Sequence, residues 1–159
     1  MVPCPAGVRA PDERVLSVTE PRWTVVAPLR PRFRDTDAMG HINNAVYVTY
    51  LEVARQEYWR AFKQDADYRV VPFILARVEI DFRSEALMRE TLELRIRIGR
   101  VGTKSFTFEY EIRELQTQRL VAAATTVQVF YDYAAKHSIP MPDDMRQRIE
   151  TFEGRSFAR

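Results

Sequence analysis

Five side chains within ten residues could combine acid–base chemistry with recognition of a carbonyl group. Asp35, Asp37, His41, Asn43 and Asn44 fall in the stretch 34–44, Arg-Asp-Thr-Asp-Ala-Met-Gly-His-Ile-Asn-Asn. A carboxylate can take a proton from water or attack an electrophilic carbon itself. An imidazole can move a proton or donate a hydrogen bond. Carboxamides can shape a turn whose backbone N–H groups face a developing negative charge. The stretch holds one of the five glycines, Gly40, and one of the two histidines. No other part of the chain concentrates reactive groups this way.

Each residue also has a plainer role. A lone loop aspartate usually closes a turn through its side chain, and on the residues alone that reading of Asp37 is preferred. Asn43 or Asn44 suits the N-cap of the helix that follows. That helix start would also favour negative charge on a carbonyl oxygen, with the backbone N–H near Asn44 the best-placed donor. The two roles are compatible. His41 can hold the loop, orient Asp37 or hydrogen-bond a substrate carbonyl. Loop-holding and substrate orientation rank ahead of base catalysis. Asp35 would share a side with Asp37 if the backbone were extended, raising the pKa of one of them. A surface pair with Arg34 or another arginine is the preferred expectation.

The elements around the loop follow from periodicity. Trp23, Val25, Ala27 and Leu29 alternate, and Pro28 and Pro31 mark an edge or irregular strand. A helix is expected over residues 45–62, with Tyr47, Tyr50, Leu51, Ala54, Tyr58, Ala61 and Phe62 on its apolar side. On that helix Glu52 and Arg55 are spaced for an intrahelical or interface pair. Residues 64–68 read as a polar connection. The period then becomes two. Ala76, Val78, Ile80 and Phe82 form one alternating set. Leu92, Leu94, Ile96 and Ile98 form a second; Phe106, Phe108, Tyr110 and Ile112 a third; and Val121 to Tyr131 a longer fourth. Gly99 and Gly102 mark a tight connection. A last helix is expected from Asp143 to Phe152, with Asp143 or Asp144 at its start, and His137 before it reads as surface. One buried helix and several half-polar strands predict an α+β fold, an antiparallel sheet curled around the helix. Such a sheet leaves edges that dimerisation could cover.

Composition bounds the function. At 159 residues the chain suits one domain over 22–159, preceded by a proline-rich, flexible arm over 1–21. Charged residues make up 29% with both signs interspersed and a net charge of only +2, so no nucleic-acid face is expected. The single cysteine, Cys4, cannot form an intramolecular disulfide, and no zinc spacing occurs. With no signal-like or membrane-spanning run, a cytoplasmic protein that does not enter membranes is expected.

The motif from Asp37 to Asn44, followed by Tyr47, Tyr50, Glu52 and Arg55, resembles the hotdog-fold acyl-CoA thioesterases. It is most similar to the 4-hydroxybenzoyl-CoA thioesterase family, in the form with a Gly-His-x-Asn-Asn loop. The resemblance runs from about Trp23 to Tyr133. It implies hydrolysis of an acyl-CoA thioester to acid and thiol, without metal or organic cofactor, by a homodimer or homotetramer. With it, the preference for Asp37 turns from turn-former to catalytic carboxylate, as general base or as nucleophile. The implied substrate-binding set is Gly40, His41, Asn43, Asn44, Tyr47 and Ser105. Ser105 lacks a Gly-x-Ser-x-Gly context and is not read as a nucleophile. Lys104 stands where a related member uses a lysine near the CoA phosphates, and Arg100 could assist it. Solvated turn charges are an equal reading of both. An acyl-carrier-protein thioesterase, a non-catalytic acyl-thioester-binding module and a dehydratase on the same fold are the alternatives.

Overall fold

The alternating segments form one antiparallel sheet because each offers one apolar and one polar face. The computed structural model describes residues 22–63 and 72–158. The expected arm over 1–21 and connection over 64–68 lie outside the described residues. In chain order the elements are β1 (Val25–Leu29), a 3-10 turn (Phe33–Asp35), α1 (Val46–Phe62), β2 (Phe73–Phe82), β3 (Leu92–Val101), β4 (Ser105–Glu114), β5 (Leu120–Asp132), β6 (His137–Ser138) and α2 (Asp143–Glu153). The strand order is β1-β3-β4-β5-β2, with β6 added to β5. Register puts Ala27, Leu94, Ile112, Ala122 and Phe82 in one row across five strands. Near the other end, Ser105, Val129 and Ile74 form a second row.

Helix α1 contains no glycine or proline, and Tyr47, Tyr50, Leu51, Ala54 and Tyr58 recur at helical spacing and are buried. It lies over β3 and β1. Its aromatics also mesh with those of β4: Tyr58 meets Phe108 at 4.8 Å and 74°, and Trp59 meets Phe106 at 6.0 Å and 83°. Each such buried ring contributes on the order of 2 kcal/mol. Helix α2 packs beside it, Phe152 against Tyr58 at 5.2 Å, and ends at Gly154 with φ 68°. Among the described residues, no helix is long and apolar enough to cross a membrane.

Several expectations are corrected by the topology. β2 is an edge strand and its apolar set is only partly covered: Ala76 is exposed, Phe82 is 47% exposed, and Leu75 outside the set is 42% exposed. Its ladder with β5 slips between Leu75 and Arg77, which leaves Ala76 unpaired. Gly99 lies inside β3 at a register shift rather than in the turn, where a Cβ would sit 2.3 Å from the Glu109 carboxylate. His137 is exposed but belongs to β6, paired with Asp132 of β5. Helix α2 has Pro142 at its N-cap, with Asp143 and Asp144 in the first turn, where they complement the helix dipole.

Candidate active site

The stretch between β1 and α1 is a folded loop with its own hydrogen-bond framework. A bridge between Thr36 and Ile42 doubles the chain back on itself. The Asp37 N–H donates to the His41 carbonyl at 2.8 Å, and the Gly40 N–H to the Asp37 carbonyl at 3.1 Å. Gly40 turns the chain at φ 82°, in open space, so its need for glycine is conformational rather than steric. Asp37 Oδ1 accepts the Met39 N–H at 2.8 Å and the His41 N–H at 3.1 Å. Its Oδ2 accepts nothing from the described residues. The turn-closing and chemical readings of Asp37 therefore use different oxygens of one carboxylate.

Four successive amides then lead into the helix. His41 N–H goes to Asp37 Oδ1, Ile42 N–H to the Ala86 carbonyl at 2.9 Å, and Asn43 N–H to the Asp35 carbonyl at 2.9 Å. The fourth, Asn44 N–H, meets no acceptor among the described residues. The N-cap of α1 is Ala45, without a side-chain bond, rather than Asn43 or Asn44. Asn43 acts earlier: its Oδ1 accepts the Ala45 N–H at 2.9 Å and its carbonyl the Val46 N–H at 2.9 Å. This tight turn uses the amides around Asn44 and leaves that one open.

A cleft of about 420 Å³ opens on this loop, lined by Asp37, Met39, His41, Ile42, Asn43, Asn44 and Tyr47 from one side and by Phe82, Arg83, Ser84 and Glu85 from the other. Gly40 shapes the turn but does not line the cleft. Tyr47 rests edge-on against Phe82 at 5.1 Å and 81°. Burial pushes the Tyr47 hydroxyl up to about 12, so at neutral pH it is an uncharged hydrogen-bonding group. The His41 ring reaches toward Glu85 on the opposite wall, Nε2 to Oε2 3.4 Å. It is the His41 backbone, not its ring, that contacts the Asp37 carboxylate. One wall of the cleft thus carries Asp37, with an open carboxylate oxygen, and Asn44, with an open backbone N–H. That pair can activate a nucleophile and receive charge on an oxygen.

Asp35 pairs with an arginine as expected, with Arg32 and not Arg34, but not at the surface: it is buried and closes the 3-10 turn rather than lying in extended backbone. Its Oδ2 accepts the Arg32 N–H at 2.8 Å and the Tyr50 hydroxyl at 3.0 Å, and its Oδ1 meets Arg32 Nη2 at 3.2 Å. Burial alone would raise its pKa, but these donors outweigh burial and hold it below the ordinary value. The intrahelical form of the expected Glu52–Arg55 pair does not occur: Arg55 Nη1 instead reaches the Tyr110 hydroxyl at 3.3 Å, and Glu52 is exposed.

Ser105, Lys104 and Arg100 are not brought to this cleft. They lie around the β3–β4 hairpin, whose row meets β2 at Ile74, whereas the cleft meets β2 at Phe82. Eight residues of strand separate the two rows, roughly 25 Å. Arg100 lines a different cleft, of about 620 Å³, with Gly102, Thr103 and Arg146, and Lys104 is exposed outside it. The sequence missed most of the second wall, Arg83 to Glu85. Phe82 reads as one of several aromatics that could line a pocket, with ordinary core or interface packing preferred, and nothing local signals that residues 84–90 fold back against the loop. Among the described residues, no three His, Cys, Asp or Glu side chains converge as a metal site would require.

Residues 31–149 match the family model of the thioesterase-like superfamily. The uncharacterized protein YsmA of Bacillus subtilis is 27% identical over 79 residues, covering 50% of this chain and 54% of that protein. The chain thus spans about half the length of that relative. The acyl-CoA thioester hydrolase YbgC of Escherichia coli O157:H7 is 31% identical over 109 residues, covering 67% of this chain and 72% of that protein. A thioesterase from Thermus thermophilus, solved with coenzyme A and zinc, superposes with a TM-score of 0.73 at 27% identity, covering 85% of this chain and 98% of that one.

Proposed function

The chain belongs to the thioesterase-like superfamily, and from that premise we propose that it hydrolyses acyl-CoA thioesters to a free acid and CoA. The observation that carries the reading is the pairing, in one cleft, of the open Asp37 Oδ2 with the open Asn44 N–H. Relatives named as acyl-CoA hydrolases support the substrate class. In the proposed reaction, water attacks the thioester carbon while Asp37 takes its proton. The carbonyl oxygen, gaining negative charge, accepts the Asn44 N–H at the start of α1. The C–S bond then breaks and the thiolate is protonated. In a second route Asp37 attacks the carbon itself, the C–S bond breaks to release the CoA thiolate, which is protonated, and water opens the resulting mixed anhydride to the free acid and the Asp37 carboxylate. His41, Asn43 and Tyr47 shape the pocket around the acyl carbonyl in either route.

A homodimer would complete this site. If the exposed edges of two β2 strands paired antiparallel, the Ile74 row of one copy would lie beside Phe82 of the other. Ser105, Lys104 and Arg100 of the second copy would then approach the cleft that they cannot reach within one chain. Pairing would also cover Leu75 and Phe82, both nearly half exposed.

The test is thiol release from a panel of acyl-CoAs with short, long and aromatic acyl groups, including 4-hydroxybenzoyl-CoA, beside matched acyl-carrier-protein substrates. Turnover of one or more CoA esters is expected. Turnover of the carrier-protein substrates alone would replace the carrier. No turnover at all would leave a non-catalytic thioester-binding module in its place.

A further inference from the structure

We propose that Arg119, from the β4–β5 hairpin, is a positioning residue that sets the open Asn44 N–H through residues 84–90; this rests on the reading of the cleft given above. Arg119 reaches three acceptors around that segment. Its Nη1 donates to Ser84 Oγ at 2.7 Å and to the Glu85 carbonyl, and its Nη2 to Glu90 Oε1 at 2.8 Å. The segment closes on itself as well: Glu90 Oε2 accepts the Leu87 N–H at 3.0 Å, and the Leu87 carbonyl the Glu90 N–H at 3.1 Å. A planar guanidinium suits this task, because its donors point in fixed directions and serve several acceptors at once.

At the centre of the clamped segment is Ala86, fully buried. Its carbonyl holds the Ile42 N–H at 2.9 Å, and Leu87 bridges His41. Ile42 is two residues before Asn44, so this bond is one of three that fix the run of amides ending at the free one. The base of the clamp is rigid too. Glu114 caps the hairpin that carries Arg119, accepting the Thr117 hydroxyl at 2.6 Å and the Thr117 and Gln116 N–H groups. Arg119 touches no reacting atom in this account. It acts by keeping the second wall in place, and the loop leans on that wall.

The test uses the full chain and two readouts, one of them independent of activity. With a CoA ester that the wild type turns over, Arg119→Ala is expected to lower kcat about ten-fold or more and to leave KM within about three-fold, as displacement of a donor from the transition state would do. Amide exchange at Ile42 is expected to speed up about ten-fold relative to Ile98, whose N–H is held elsewhere by Glu153. Arg119→Lys, with one point charge in place of the fork, is expected to fall between wild type and Ala in both readouts, and it carries the test if the Ala variant does not fold. Wild-type kcat in a folded Arg119 variant overturns the proposal. So does faster exchange at Ile98 and Ile42 alike, which would mean general loosening. If the wild type releases no thiol from any ester, the hydrolase reading fails, while Ile42 exchange still decides whether the clamp exists.

Discussion

The two ends of α1 are each docked by a carboxylate, and between them these carboxylates show what Asp37 is not. At the N-terminal end, Tyr50 donates to Asp35, which also takes the Arg32 N–H and guanidinium. At the other end, Tyr58 donates to Glu153 Oε1 at 2.6 Å; the same oxygen takes the Ile98 N–H at 2.9 Å, and Oε2 takes the Thr24 hydroxyl at 2.7 Å. In both, a buried acid has donors on both oxygens, and each ties the helix to neighbouring strands or turns. Asp37 stands two residues from Asp35, yet it is half-exposed and commits one oxygen only. A saturated carboxylate holds structure; an unsaturated one beside a cleft is free to react. Sequence proximity does not separate the two kinds, but donor count does.

The largest stability effect should come from the α2 end. Glu153→Ala strips the acceptor from Tyr58, the Ile98 N–H and Thr24 at once, and should cost about 3–5 kcal/mol. Chemical denaturation checks this, with turnover per folded molecule unchanged. A loss of catalysis in the folded variant would blur the division between the two ends. Tyr50→Phe is expected to be milder, about 1.5–3 kcal/mol, because Asp35 keeps its Arg32 donors. If it proved as costly as Glu153→Ala, the N-terminal acid would be the more dependent on its tyrosine. Gly40→Ala should cost about 1–2 kcal/mol, from the positive φ alone. It should lower kcat as well, since the turn sets the Asp37 hooks, and an unchanged rate would detach Gly40 from the site.

The smallest effect is the pH dependence carried by Asp35. Its folded pKa lies below the ordinary 3.8, so its contribution is fully present above that value and fades as pH falls through the lower, folded one. Glu114, held at about 2 by the Thr117 hydroxyl and the Gln116 and Thr117 N–H groups, fades in the same direction. The difference between wild type and Asp35→Asn in acid titration therefore isolates the Asp35 part. That difference should shrink toward low pH, and a constant difference would mean that Asp35 is docked without charge.

Most of the frame was legible in the sequence. Period-two runs became β3 and β4 with the anticipated faces, whereas β5 buries the opposite set, Ala122, Ala124, Thr126, Gln128 and Phe130, and leaves the alternating residues from Ala123 to Tyr131 only half-buried. Helices α1 and α2 start and stop within a residue or two of expectation, because short-range patterns set them. The fold class was readable for the same reason. What was not legible depends on partners distant in sequence. The burial of Asp35 needs Tyr50 above it, the second cleft wall needs residues 84–90 to fold back, and the separation of Ser105 from Asp37 needs the register of five strands. Arg55 illustrates the limit: its spacing from Glu52 suggested an intrahelical or interface pair, but within the chain Tyr110 across the core offered a buried hydroxyl.

The account turns most directly on Asp37→Asn. The asparagine can keep the Oδ1 hydrogen bonds to Met39 and His41, so the folded structure should be preserved and the thermal midpoint should stay close to wild type. Measured with a CoA ester that the wild type turns over, its kcat should fall about 10²- to 10⁴-fold, the range of a lost proton-transfer group. A folded Asp37→Asn protein that releases thiol at the wild-type rate would contradict the account, and would return Asp37 to the company of Asp35 and Glu153 as a residue that only holds.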